Sequence, residues 1–371
     1  MIRRIGCSIA LAAAAALLTL TAAEVALRLV APQALLRDPD AFTPDPELGM
    51  RLTPGYSGPF ITPEFSSSWV INDQGHRGPA AAAREAIGFR IVALGDSFTF
   101  GYGVEEEESW PRLLEKRIEE RTEGAGRIEV VNLGVGGYGT FQELSWLERK
   151  SEALEPDLAV LAFYVGNDPS DNALALDRED PAAPGGAAAR GPGRIEEVKR
   201  WLGSRLHLFT FVSTRADELL VRMGLRQLVY PFEMEVLGRD PAPHVAAAWD
   251  ATAEALRRVA AFGEERSLPL LIVVIPMKHQ VSDAAWIRLL GHYGDESLFD
   301  RYAPQRRMAE MLRSEGLESL DLLGGLRAAV PDEDGQVLYW GRDQHWNERG
   351  HAEAARLIAD RLKKMPLMAV W

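Results

Sequence analysis

Cysteine is nearly absent: Cys7 is alone in 371 residues, so no disulfide can form within the chain and no cysteine-based metal site can be built. Positive charge is scarce as well. Lys and Arg number 41 against 54 Asp and Glu, a net charge of −13, and no basic cluster exceeds short patches such as Lys199-Arg200. No nucleic-acid partner is therefore expected. The seven histidines include no His-x-x-x-His pair, and His279 and His292 lie too far apart to imply a site, so no metal is expected. No internal repeat is visible. Charge of either sign is missing from residues 5 to 23, IGCSIALAAAAALLTLTAA.

That uncharged run follows a basic start, Met1-Ile2-Arg3-Arg4, and approaches the ~20 residues that span a bilayer. Thr21-Ala22-Ala23 passes as a small-residue cleavage site, so secretion after signal-peptide removal is the alternative reading. Apolar residues continue through Val25, Leu27, Leu29 and Val30 until Pro32, which favours an uncleaved signal anchor over residues 1–31. The two arginines then stay in the cytoplasm. The expectation is a single-pass protein of the cell membrane with its catalytic domain extracytoplasmic, in the periplasm.

Residues 32–85 are rich in Pro, Gly, Ser and aromatics with little periodicity, and read as an irregular lead-in. From residue 86 to 371 strands and helices alternate. Strands are expected at 89–94, 127–133, 157–165, 269–275 and 318–322, with helices near 109–122, 140–153, 246–264, 302–315 and 347–364. Five strands in that alternation predict an α/β fold, a flavodoxin-like three-layer sandwich on a five-stranded parallel sheet. An insertion at about 174–245 interrupts it: residues 174–194 read as a flexible surface loop, and 195–235 regain helical pattern with Trp201, Phe209, Phe211 and Tyr230.

The first strand runs into Gly95-Asp96-Ser97, which places a serine where open α/β sheets bind ligands. A hydroxyl nucleophile needs a base, a carboxylate to orient the base, and donors for the developing oxyanion. Only His345 has an acid at usable spacing: Asp343 lies two residues earlier, and on an extended segment i and i+2 share a side. Two more strand-end loops carry donors. Asn132 to Gly139 reads NLGVGGYG after the second strand, and Gly166-Asn167-Asp168 follows the third. Gly134, Gly136 and Gly139 also match Gly-x-Gly-x-x-Gly, but Asp157 comes too early and Asp168 too late to hold a ribose, so no dinucleotide or other cofactor is expected.

The blocks GDSFTFG, NLGVGGYG, GND and DQHWNERGH resemble, in order, the four signature blocks of the GDSL or SGNH hydrolase superfamily. The resemblance runs from about residue 86 to 364, and Ile71 to Gly78 is similar to the lead-in of membrane-anchored bacterial members. It implies the SGNH hydrolase fold, with Ser97 as nucleophile and His345 as base, oriented by Asp343. It also implies an oxyanion hole from the backbone N–H groups of Ser97 and Gly137 and the Asn167 side chain, with Gly136 a rival to Gly137. Asp343-Gln344-His345-Trp346 resembles the Asp-x-His-Trp motif of alginate-acetylation proteins. The function implied is a serine esterase acting through an acyl-serine on short-chain esters, O-acetyl first, of a small molecule or polysaccharide. The alternatives are an O-acyltransferase with the same triad, or a non-catalytic membrane-anchored glycan-binding or scaffold protein.

Overall fold

The computed structural model describes residues 2–31, 33, 39–62, 64–120, 127–179, 194–222, 232–293, 296–330, 338–341 and 343–368. The uncharged run is helical: α1 covers Ile2–Val30. Within it Leu11–Val30 is long and apolar enough to cross a membrane, and none of it is buried against the rest of the protein.

The lead-in departs from the irregular chain expected there. Phe42–Asp45 (β1) pairs antiparallel with Gly49–Leu52 (β2), and Ser57–Ile61 (β3) with Ser66–Val70 (β4). These strands hold only four or five residues, and Pro44 and Pro59 interrupt them, so period-two patterning is weak. Burial nevertheless alternates along β4, where Ser67 and Trp69 face inward.

The sheet follows the predicted order. Phe89–Gly95 (β5), Ile128–Asn132 (β6), Leu158–Tyr164 (β7), Leu270–Ile275 (β8) and Ser319–Asp321 (β9) are all parallel, in spatial order β6-β5-β7-β8-β9. Every residue of β5, β6 and β7 is buried, as a parallel sheet covered on both faces requires. The covering helices include Trp110–Glu119 (α3), Thr140–Leu154 (α4), Pro243–Arg266 (α9), Ala303–Ser314 (α12) and Glu348–Leu362 (α14). The strand order reverses direction at β5, so the carboxyl ends of β5, β6 and β7 open a crevice at the switch point.

The insertion contributes Asp168–Glu179 (α5), Arg194–Gly203 (α6), His207–Arg222 (α7) and the short Phe232–Glu235 (α8). The flexible loop expected at 174–194 is helical where described, residues 174–179 ending α5 and Arg194 opening α6, while residues 180–193 lie outside the described residues, as does Tyr230. The carboxylate of Glu24, on α1, accepts from the His207 and Leu208 N–H groups at 3.1 and 2.8 Å and so caps α7. The insertion is thereby joined to the foot of the apolar helix.

Candidate active site

β5 ends in a turn because Asp96 caps the next helix: its Oδ1 accepts from the Phe98 N–H at 2.9 Å, and Ser97–Phe100 (α2) begins there. Ser97 therefore stands at a helix N-terminus just past a buried strand. Its Oγ lies 2.7 Å from Nε2 of His345, and Nδ1 of that ring lies 2.5 Å from Oδ1 of Asp343. The same Oδ1 accepts from the His345 backbone N–H at 2.8 Å, which holds the two-residue spacing in the shape that lets acid and ring meet. Asn347 then caps α14 by accepting from the Arg349 and Gly350 N–H groups, each at 3.1 Å, so the triad loop is fixed at its far end. Ser97 and the Asp343–His345 pair, 248 positions apart from serine to histidine, thus form one hydrogen-bonded relay. Such a relay can take a proton from a hydroxyl and hold the resulting imidazolium.

Burial pushes Asp343 upward, but its hydrogen bonds and charge contact with His345, with the Lys278 charge nearby, outweigh this and leave the carboxyl below its ordinary range. Lys278 follows β8 at the start of Lys278–Val281 (α10); its buried Nζ donates to the Trp340 and Gly341 carbonyls, both at 2.6 Å. The lead-in holds the triad loop from the other side: Glu64 Oε2 accepts from the Asp343 N–H at 2.8 Å. Arg77 grips the carboxyl end of α2, donating to the carbonyls of Phe100 at 2.9 Å, Gly101 at 2.6 Å and Val104 at 2.7 Å, with Ser68 at 3.2 Å. Burial pushes this guanidinium down to about 10.

The predicted donors gather at the same place. Ser97, Gly136, Gly137, Asn167 and His345 line one cavity of about 390 Å³, walled by Phe42, Trp69, Phe98, Phe100, Tyr102 and Tyr164. Gly137 has φ of +82°, which a side chain would strain. Gly134 serves packing instead: a Cβ there would meet the Phe100 amide nitrogen at 2.3 Å, so the glycine-rich loop can lie directly on α2. Gly136 and Gly137 both reach the cavity, so the choice between them as donor stays open. The Asn167 amide nitrogen donates one of its two hydrogens to Asp171 Oδ2 at 2.6 Å, which holds the side chain at the rim. Replacing Asn167 by Ala is expected to lower kcat about 10²- to 10³-fold, the usual loss for one oxyanion donor, as steady-state kinetics on an aryl ester would read. A change under threefold would remove it from that role.

The last helix, α14, carries a second histidine, His351. It is a core histidine: buried, accepting from the Trp110 N–H at 3.3 Å, and driven by burial down to about 3. Glu64, Lys278 and the Arg77 contacts escaped the sequence altogether.

Behind Ser97 lie buried acids. Burial raises Asp96 to about 6, against the pull of its Phe98 and Asn167 hydrogen bonds. Burial, with the negative charges of neighbouring carboxylates, raises Glu143 and Asp168 further. Both Glu143 oxygens and Asp168 Oδ1 have no hydrogen-bond partner among the described residues. A carboxyl raised by folding keeps its proton while the unfolded chain loses one, so its contribution to stability is whole below the ordinary value of 4.5 and falls as pH rises towards the folded value. Glu143→Gln escapes that loss. Relative to the wild type it is expected to gain stability as pH rises above 4.5, read as a melting-temperature difference that widens with pH. A margin independent of pH would contradict the assignment.

A family model described as the GDSL-like Lipase/Acylhydrolase family matches residues 93–353. The chain belongs to that family. It is a hydrolase acting on ester bonds, and Ser97 through His345 all fall inside the matched span. No curated protein matches the chain. Among solved structures it is similar to an acetyl xylan esterase, at 14% identity and a TM-score of 0.41 over 74% of this chain and 99% of that one. A lipase/acylhydrolase from Enterococcus faecalis matches at 14% identity and 0.40, over 74% and 95%. A psychrotrophic esterase from Pseudoalteromonas sp. matches at 13% and 0.39, over 74% and 97%.

Proposed function

We propose that this acylhydrolase is a membrane-anchored serine esterase that removes short acyl groups, O-acetyl above all, from a carbohydrate outside the cytoplasm. The observation that carries the chemistry is the unbroken relay from Ser97 Oγ through His345 to Asp343, opening on one aromatic-walled cavity. His345 Nε2 takes the Ser97 proton as Oγ bonds to the acyl carbon. The negative oxygen that develops is met by the N–H groups of Ser97 and Gly137 and by the Asn167 amide. His345 then returns the proton to the leaving alcohol oxygen as the old ester bond breaks, and the acyl-serine forms. Water, deprotonated by the same ring, attacks the acyl carbon and releases the acid and free Ser97.

A cavity of about 390 Å³ suits a small acyl group with part of its alcohol, and aromatic walls suit a sugar face. The anchor reading rests on α1, with Arg3 and Arg4 kept inside and the domain after Pro32 outside. The test uses the full chain in detergent against p-nitrophenyl esters of two to twelve carbons beside acetylated xylan and alginate. Acetate release from a glycan, with kcat/KM greatest at the shortest acyl chains, is expected. A maximum at eight carbons or longer, with no acetate from either glycan, would assign a lipase instead.

A further inference from the structure

Two glutamates of α8 have opposite fates. Glu235 pairs with His244 at 2.6 Å on the exposed side. Glu233 lines the same cavity as Ser97 and His345, is half-buried, and has no hydrogen bond or ion pair with any described residue. A carboxyl partly withdrawn from water without a partner on the protein is left with acceptor capacity that an entering molecule can use. Neither proton relay nor oxyanion stabilisation uses it.

Its position relative to the reaction is fixed by His345. That ring must deliver the proton to the departing oxygen, so the alcohol part of the ester leaves past it. Glu233 shares the cavity with His345 and lies within electrostatic reach of both His345 and Asp343, which puts it near that path. Phe42, Trp69, Phe100 and Tyr102 supply flat apolar walls to the same space.

We propose that Glu233 is a specificity residue that reads the alcohol part of the substrate, accepting hydrogen bonds from the hydroxyls of a polyhydroxylated leaving group whose apolar face lies on the aromatic walls. The inference rests on the carbohydrate-esterase reading above and adds a residue, from the insertion, that selects the sugar. Burial works against an ionised Glu233 and outweighs the pull of the His345 charge, with the Asp343 charge adding to the upward push. That environment suits hydroxyls, which can accept from a protonated carboxyl or donate to an ionised one, better than it suits a cationic alcohol such as choline.

The full chain in detergent, as wild type, Glu233→Gln and Glu233→Leu, is assayed on p-nitrophenyl acetate, an acetylated xylo-oligosaccharide and acetylcholine. The readout is the ratio of kcat/KM for the oligosaccharide to that for the aryl ester. It is expected to fall about tenfold or more in Glu233→Leu, mostly through KM, and less in Glu233→Gln, whose amide oxygen still accepts. Circular dichroism checks the fold of each variant, and the near-isosteric Gln variant carries the test if Leu is not tolerated. A proportional loss on all esters, or an unchanged ratio, would overturn the inference while leaving the esterase reading intact. So would a wild-type preference for acetylcholine that the variants lose, which would assign the carboxylate to a cation. Folded wild type that cleaves the aryl ester and spares the oligosaccharide brings down the sugar reading together with this inference. Wild type inert on all three esters brings down the esterase reading itself.

Discussion

Replacing Ser97 by Ala is expected to lower kcat/KM for a short-chain aryl ester about 10⁴-fold or more, with an unchanged circular dichroism spectrum. The side chain removed is small and sits at the first position of a four-residue helix whose cap is the Asp96 carboxylate, so the fold does not depend on it. Turnover does, because among the described residues the Ser97 hydroxyl is the one in contact with His345 Nε2, at 2.7 Å. His345→Ala should cost nearly as much, and the double variant hardly more than either, since nucleophile and base act as one unit. Losses that multiply would mean that the two residues act independently, which the relay does not allow.

The second large effect falls on stability. Arg77 is almost wholly buried, yet its guanidinium meets four backbone carbonyls, from Ser68, Phe100, Gly101 and Val104. Three of these belong to the end of α2 and the turn after it, the other to β4. Arg77→Met keeps most of the volume and removes every donor. Each buried carbonyl left unpaired costs about 1–3 kcal/mol, so a loss of about 3–5 kcal/mol is expected after partial relaxation, seen as a lower urea midpoint. Activity should fall too, through kcat, because the helix that carries Ser97 loses its clamp. A loss below about 1 kcal/mol would show that other groups or water satisfy those carbonyls.

The contrast between these two residues shows what was legible in the sequence. Ser97, Asp343 and His345 announce themselves because each sits in a short local pattern: a strand that ends in Gly-Asp-Ser, and an acid two residues before a histidine ahead of a capped helix. The sheet was legible for the same local reason, since β7 and β8 are apolar runs of seven and six residues and β5 is one broken only by Arg90, all bounded by helical periodicity. The hairpins of 42–70 were not, because two of their strands carry prolines and the inward residues of β4 include a serine. Arg77, Glu64 and Lys278 belong to a third class. Each reaches across more than twenty residues of chain to backbone atoms, and a backbone carbonyl or N–H has no side-chain identity for a pattern to register. Glu233 is silent for a related reason: its lack of a partner exists only once the insertion is folded over the crevice.

The claim at the centre is that Ser97 is an activated nucleophile. Treatment of the full chain with an alkyl fluorophosphonate, followed by intact mass measurement and peptide mapping, tests it without any assumption about the substrate. One phosphonyl group on Ser97, formed with loss of fluoride and slowed strongly in His345→Ala, is the expected result. Folded protein that takes up no phosphonyl group, or takes it up on another serine, would contradict it.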